Sequence, residues 1–211
     1  MPELLEEWQR LEAVEPARAA RLAEPIRTLE NWDYVASVDS WETTLFVLWA
    51  DRYLNTNEAA KRDRWARVEV FEEVVKTLIA TWGTWRTPWG ELNRVQRPDA
   101  SGQVPFDDAL LSLPVAGAPG WLGSVFTSYT RQPEGRRRRY GVHGNSFVKI
   151  IEFGPQVRAR SILTFGQSGN PTSPHFFDQA PLYSRKMFKP AWFSLEEIEA
   201  RAARVYQPGS E

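Results

Sequence analysis

The sequence contains no cysteine. That absence removes disulfide frameworks, thiolate metal sites and cysteine nucleophiles together, and it leaves the redox compartment open. Neither sign of charge is in excess: Lys plus Arg number 26 and Asp plus Glu 27, for a formal net charge of −1. A balance of this kind provides no global electrostatic footprint for nucleic acid or an anionic membrane, so neither is expected as a partner. No apolar run approaches the roughly 18–20 residues of a membrane helix. The opening stretch Met1-Pro2-Glu3-Leu4-Leu5-Glu6-Glu7-Trp8 is acidic and amphipathic, unlike a signal peptide. Internal repeats and low-complexity segments are absent as well.

What is present is a heavy aromatic and aliphatic load. Hydrophobic residues make up 42% and charged residues 25% of 211 residues, and ten are tryptophan. Such a chain is globular and long enough for one substantial core or two small ones.

Residues 1–83 have the period of helices. Leu4, Trp8 and Leu11 recur at i, i+4, i+7, and Leu22, Ile26 and Leu29 repeat that spacing. Trp41, Leu45, Leu48, Trp49 and Tyr53 form a third stripe, which Asp39 or Ser40 is placed to cap. Trp65, Val68, Phe71, Val75, Leu78, Ile79 and Trp82 form a fourth, with Asn57 or its neighbours as its cap and Gly83 as its stop.

From Thr84 the period changes. Glu91–Arg97 reads as a short strand, followed by a Pro- and Gly-rich loop over 98–120. Ser124–Thr130, Arg137–Val142, Ser146–Phe153 and Val157–Phe165 read as strands. Gln132-Pro133-Glu134-Gly135 fits a type I turn, and Gly154-Pro155 a hairpin connection. Apolar groups on both faces of Ser146–Phe153 predict a strand covered on both sides. Ser194 followed by Glu196-Glu197 predicts a capped helix running to about Tyr206. The organisation is a helical segment over 1–83 and an antiparallel sheet segment with a closing helix over 84–211, both parts of one domain. The fold class is α+β.

The stretch Gly144-Asn145-Ser146-Phe147-Val148-Lys149 through Val157-Arg158-Ala159-Arg160-Ser161-Ile162-Leu163 resembles the late strands of the penicillin acylase family. It runs into Gly166-Gln167-Ser168-Gly169, then Ser173-Pro174-His175 and Asp178-Gln179, which is similar to that family's C-terminal signature. Leu29-Glu30-Asn31-Trp32-Asp33, Trp89-Gly90-Glu91-Leu92-Asn93-Arg94-Val95 and Lys189-Pro190-Ala191-Trp192-Phe193-Ser194 resemble three further family blocks in the correct order.

The resemblance implies an N-terminal nucleophile hydrolase with a layered α-β-β-α core, periplasmic or secreted. Its serine attacks a linear amide, with its own α-amine as general base, and forms an acyl-enzyme. An asparagine and backbone N–H groups would hold the oxyanion. The family includes penicillin G, glutaryl-cephalosporin and acyl-homoserine-lactone acylases. In that family the nucleophile lies hundreds of residues before the Gly166 block, and the oxyanion asparagine and calcium ligands lie upstream too. The resemblance therefore implies the C-terminal part of a large subunit, with no catalytic residue, metal ligand or cofactor carried over. Its expected partners are the small subunit, the N-terminal part of the large subunit and a small-molecule amide. Of Gly166, Gln167, Ser168, Gly169, His175, Asp178 and Gln179, a structural role is expected.

Ser124, after Gly123, superficially resembles a self-cleavage junction, but too little chain follows it for the family's large subunit. Ser168, His175 and Asp178 could be drawn as a triad, yet Gly166-Gln167-Ser168-Gly169 is not the G-x-S-x-G turn such a nucleophile needs. Arg136-Arg137-Arg138-Arg139 reads as a solvated hairpin arm. Trp41, Trp49, Trp65, Trp82 and Trp85 read as core. Met1-Pro2 could expose a proline amine as in some tautomerases, but those begin with a strand. The alternative to an acylase part is a truncated, non-catalytic unit that folds alone or binds a partner.

Overall fold

Proline opens both of the first two helices, α1 (Pro2–Val14) and α2 (Pro16–Glu30). At the first helical position its missing N–H costs nothing and its fixed φ suits the helix. The computed structural model describes residues 1–99, 101, 104–207 and 209, so the loop expected over 98–120 lies partly outside the described residues. The described chain forms two units, 1–144 and 145–211, and the change of period at residue 84 falls inside the first.

In the first unit, α3 (Trp41–Leu54) and α4 (Ala66–Trp82) complete the helical layer. Ser40 is the cap of α3, its Oγ accepting the Thr43 N–H at 2.9 Å. Gly83 ends α4 with φ +77°, a conformation that costs glycine little. Asn57 leads into a short 3-10 turn at Ala60–Arg62 rather than into α4, its Oδ1 accepting the Ala60 N–H at 2.8 Å. The helical stripes converge on one core in which Leu4, Leu11, Leu22, Ile26, Leu29, Leu45, Val68 and Phe71 are all buried. Each contributes roughly 1.5–3 kcal/mol relative to exposure. Ile79 escapes, its side chain facing outward.

The expected strand over Glu91–Arg97 divides: Trp89–Leu92 is one helical turn (α5), and only Asn93–Val95 (β1) is strand. Trp89 is fully buried and its indole N–H donates to the Gly117 carbonyl at 2.7 Å, which holds the turn closed. The sheet runs β2 (Leu113–Pro114), β1, β4 (Arg139–Gly144), β3 (Ser128–Arg131). β3 and β4 are antiparallel, whereas β1 pairs β4 in parallel through Asn93↔Arg139 and Arg94↔Tyr140. Buried Gln96 fastens the loop between β1 and β2, donating to the Asp107 and Leu110 carbonyls and accepting the Asp107 N–H. The tight turn before β4 closes from the Arg136 N–H to the Pro133 carbonyl, one residue later than the type I frame at Gln132 predicts. Gly135 (φ +72°) therefore takes the third position, where a positive φ is wanted.

In the second unit, β5 (Phe147–Glu152) and β6 (Arg158–Leu163) form the expected hairpin across 153–157, and β7 (Lys189–Pro190) adds to the far side of β6. α6 (Ala180–Ser184) packs on β6. α7 (Leu195–Arg201) starts at the predicted cap, Ser194 Oγ accepting the Glu197 N–H at 3.2 Å. It stops well short of Tyr206: none of its residues is buried, and a helix without a packed face gains little by extending. These elements make an α+β fold.

The two-sided cover expected for β5 is absent. Phe147, Ile150, Ile151 and Phe153 are all exposed, and β5 is the edge of its sheet. Ile162, one strand inward, is buried at 1% exposure. Apolar patterning registers what the strand is suited to touch; among the described residues its one strand neighbour is β6, and these side chains stay exposed.

Candidate functional site

After β6 the chain loops through 165–179 before α6, and Gln179 ties the two ends of that loop together. Its N–H donates to the Phe165 carbonyl at 2.8 Å, and its buried side-chain Oε1 accepts the Leu163 N–H at 3.1 Å. The Ser168 N–H donates to the His175 carbonyl at 3.1 Å. Gly166 passes so close to that carbonyl that a Cβ there would collide with it and lie 2.6 Å from Asp178 Oδ1. Inside the loop, Ser168 Oγ accepts the Asn170 N–H at 3.1 Å and Ser173 Oγ accepts the His175 N–H at 3.2 Å, local turns of the kind these side chains favour. The rings of Phe165 and Phe177 stack with centroids 6.0 Å apart.

The residues considered as a triad meet only in part. His175 Nδ1 and Asp178 Oδ2 are 2.8 Å apart, but the imidazole is 68% exposed. Ser168 reaches His175 through backbone, while its hydroxyl accepts from Asn170. A serine nucleophile requires a strained, exposed turn beside preorganised oxyanion donors. Here the contacts of the serine, the histidine and the aspartate fall within a surface loop.

Ser124 does not open a strand, since β3 begins at Ser128. Its Oγ accepts the Ala118 N–H at 3.1 Å and donates to the Phe126 carbonyl at 2.9 Å, which makes it a turn lock. Pro2 begins α1 directly. Among the described residues no three His, Asp or Glu side chains gather as a calcium site would need.

The arginine run is not a solvated arm. Arg136 pairs with Asp107 at 3.1 Å, Arg138 donates to the Asp108 carbonyl at 2.9 Å, and Arg139 pairs with Asp51 at 3.1 Å. Arg137 lies over the Trp82 ring at 4.8 Å. Only Arg139 lies in β4, and acids distant in sequence meet Arg136 and Arg139. Trp49, Trp65 and Trp85 are buried as expected; Trp41 is exposed and meets Trp85 edge-on at 6.5 Å.

Sequence reasoning missed two polar centres. Arg94 is half-buried with no carboxylate within salt-bridge distance among the described residues, donating to the Gly90 carbonyl at 2.8 Å and to the Ser112 carbonyl at 2.6 Å; burial, then the neighbouring Arg138, pushes its pKa down. Tyr140 is fully buried and donates to Asp108 Oδ1 at 2.7 Å; burial, then that carboxylate, pushes the phenol pKa up. Ser112 and Asp108 come from a loop whose path is set by tertiary packing, so no local signal marks them.

The family model described as Penicillin amidase matches residues 1–200. The chain is similar to the aculeacin-A acylase of Actinoplanes utahensis, 38% identical over 101 residues, which is 45% of this chain and 12% of that protein. It is similar to the acyl-homoserine lactone acylase PvdQ of Pseudomonas savastanoi pv. phaseolicola, 28% identical over 155 residues, 73% of this chain and 18% of that protein. The PvdQ of Pseudomonas putida is 34% identical over 102 residues, 47% of this chain and 13% of that protein. The chain thus spans less than a fifth of the length of these curated relatives.

Proposed function

The chain belongs to the penicillin amidase family, and from that premise we propose that it serves as the C-terminal part of the large subunit of an acylase, with the nucleophile outside this chain. The parent would hydrolyse linear amides of acylated small molecules, β-lactam side chains or acyl-homoserine lactones, through an N-terminal serine acyl-enzyme. The relatives' names, an aculeacin-A acylase and acyl-homoserine lactone acylases, support that substrate class. In this reading Gly166, Gln167, Ser168, Gly169, His175, Asp178 and Gln179 hold β6 and α6 in register.

The observation that carries the proposal is β5. A strand with exposed apolar groups on both faces and an unpaired outer edge, among the described residues, is suited to a sheet completed by other strands. The small subunit and the N-terminal part of the large subunit are the proposed source. The engagement of Ser124 and Ser168 in local turns supports a chain that is inactive alone.

A second reading, a non-catalytic unit that folds alone or binds a partner, is favoured by one observation. The main hydrophobic core draws only on the first unit. The two readings separate in one assay: hydrolysis of penicillin G, a glutaryl-cephalosporin and an acyl-homoserine lactone by the chain alone and with the polypeptide encoded immediately upstream. Turnover only in the combined sample is expected. Turnover by the chain alone, abolished by one serine substitution, would overturn the first reading; none in either sample would favour the second.

A further inference from the structure

A cleft of about 410 Å³ opens within the first unit between α3, α4 and the β3–β4 hairpin. That volume is in the range of small-molecule sites, roughly 300–1,000 Å³. Its floor is apolar: Leu48 from α3, Val74, Leu78 and Trp82 from α4, and Leu92 from α5. Its rim is cationic. Arg52, Arg137 and Arg139 line it, and among the described residues the only carboxylate lining it is Asp51.

The rim charges are not equivalent. Arg139 is held by Asp51 at 3.1 Å and by Thr130, which neutralises it and fixes one wall. Arg52 and Arg137 have no carboxylate within salt-bridge distance among the described residues. The Arg52 guanidinium donates to the Thr77 hydroxyl at 3.5 Å. Arg137 lies over Trp82, its guanidinium carbon 4.8 Å from the ring centroid. A guanidinium engaged with an indole face in this way keeps N–H donors for an oxyanion. Two guanidinium groups without acid partners over an apolar floor are complementary to one chemical class: an alkyl chain that ends in an oxyanion.

We infer that this cleft binds an amphiphilic anion, its chain on Leu48, Leu78 and Trp82 and its carboxylate or phosphate between Arg52 and Arg137. The inference is independent of where the nucleophile lies.

Isothermal titration calorimetry with decanoate and decyl phosphate, below their micelle-forming concentrations, tests it against decanol and inorganic phosphate. One saturable site is expected for at least one of the two amphiphiles, about tenfold tighter than for either control, and weakened by salt. Binding by decanoate alone identifies a carboxylate, and by decyl phosphate alone a phosphate. R52Q and R137Q should each weaken binding by about tenfold or more. T81W, which fills the cleft and leaves both arginines in place, should block it. Equal affinity for decanol, or undiminished binding in a folded R52Q/R137Q double variant or in T81W, overturns the inference.

Discussion

The carboxylate of Glu7 in α1 accepts the N–H of Val68 in the first turn of α4 at 2.8 Å, across 61 positions of sequence. A helix's first N–H groups lack internal partners, so α1 supplies by tertiary contact the cap that Trp65 cannot. Glu7 is 1% exposed, with Arg67 at 3.5 Å. Burial raises its pKa, and the Val68 N–H and Arg67 only partly offset that. A raised folded-state pKa means the protonated acid is favoured by folding. The associated stability is full below the ordinary carboxylate range and is lost as pH rises through the folded-state value. E7Q still accepts a hydrogen bond but does not titrate. Urea unfolding between about pH 4 and pH 8 should show a flatter decline for E7Q than for the unmodified chain. E7A, which leaves the Val68 N–H buried and unpaired, should cost about 1–3 kcal/mol.

Asp108 runs in the opposite direction. Burial works to raise its pKa, but hydrogen bonds from Tyr140 and from the backbone at Arg137 and Arg138 outweigh it and hold it low. Its stabilisation is present above the unfolded-state pKa and lost as pH falls through the folded one. Y140F removes one of those donors and should lower stability at neutral pH by about 1.5–3 kcal/mol. It should also shrink the loss seen on acidification; an unchanged acid limb would count against the pairing.

The signature loop makes a paired prediction. G166A should destabilise the second unit severely, because the added methyl meets the His175 carbonyl. H175A, at an exposed position, should shift the midpoint by no more than about 0.5 kcal/mol. Thermal unfolding of the two variants side by side checks this. A large effect of H175A with a small one of G166A would contradict the structural role proposed for this loop.

An open apolar edge is an association hazard. The chain alone should self-associate with rising concentration, measured by light scattering. I150K with I151K, which put charge on both faces of β5, should reduce that association without lowering helix content.

Ser124 is occupied in a turn, so no self-cleavage before it is expected. Intact mass should show a single chain, apart from removal of Met1. Fragments of 123 and 88 residues (211 − 123) would overturn this.

How much of this was legible beforehand depends on the reach of each signal. The stripes through Leu4, Leu22, Leu45 and Phe71, and the caps at Ser40, Gly83 and Ser194, are written within a few residues, because helical period and end-capping are local. The β5–β6 hairpin was legible for the same reason, its strands being neighbours in the chain. The parallel pairing of β1 with β4, the capping of α4 by Glu7, and the acids that meet Arg136 and Arg139 were not. Each joins distant segments, and no local pattern encodes which distant segment arrives. β5 marks the same boundary. Its alternating and consecutive apolar residues determined that both faces suit burial, while only the tertiary structure decided that Phe147, Ile150 and Ile151 stay exposed, because cover requires another element to be present and packing is a property of the whole.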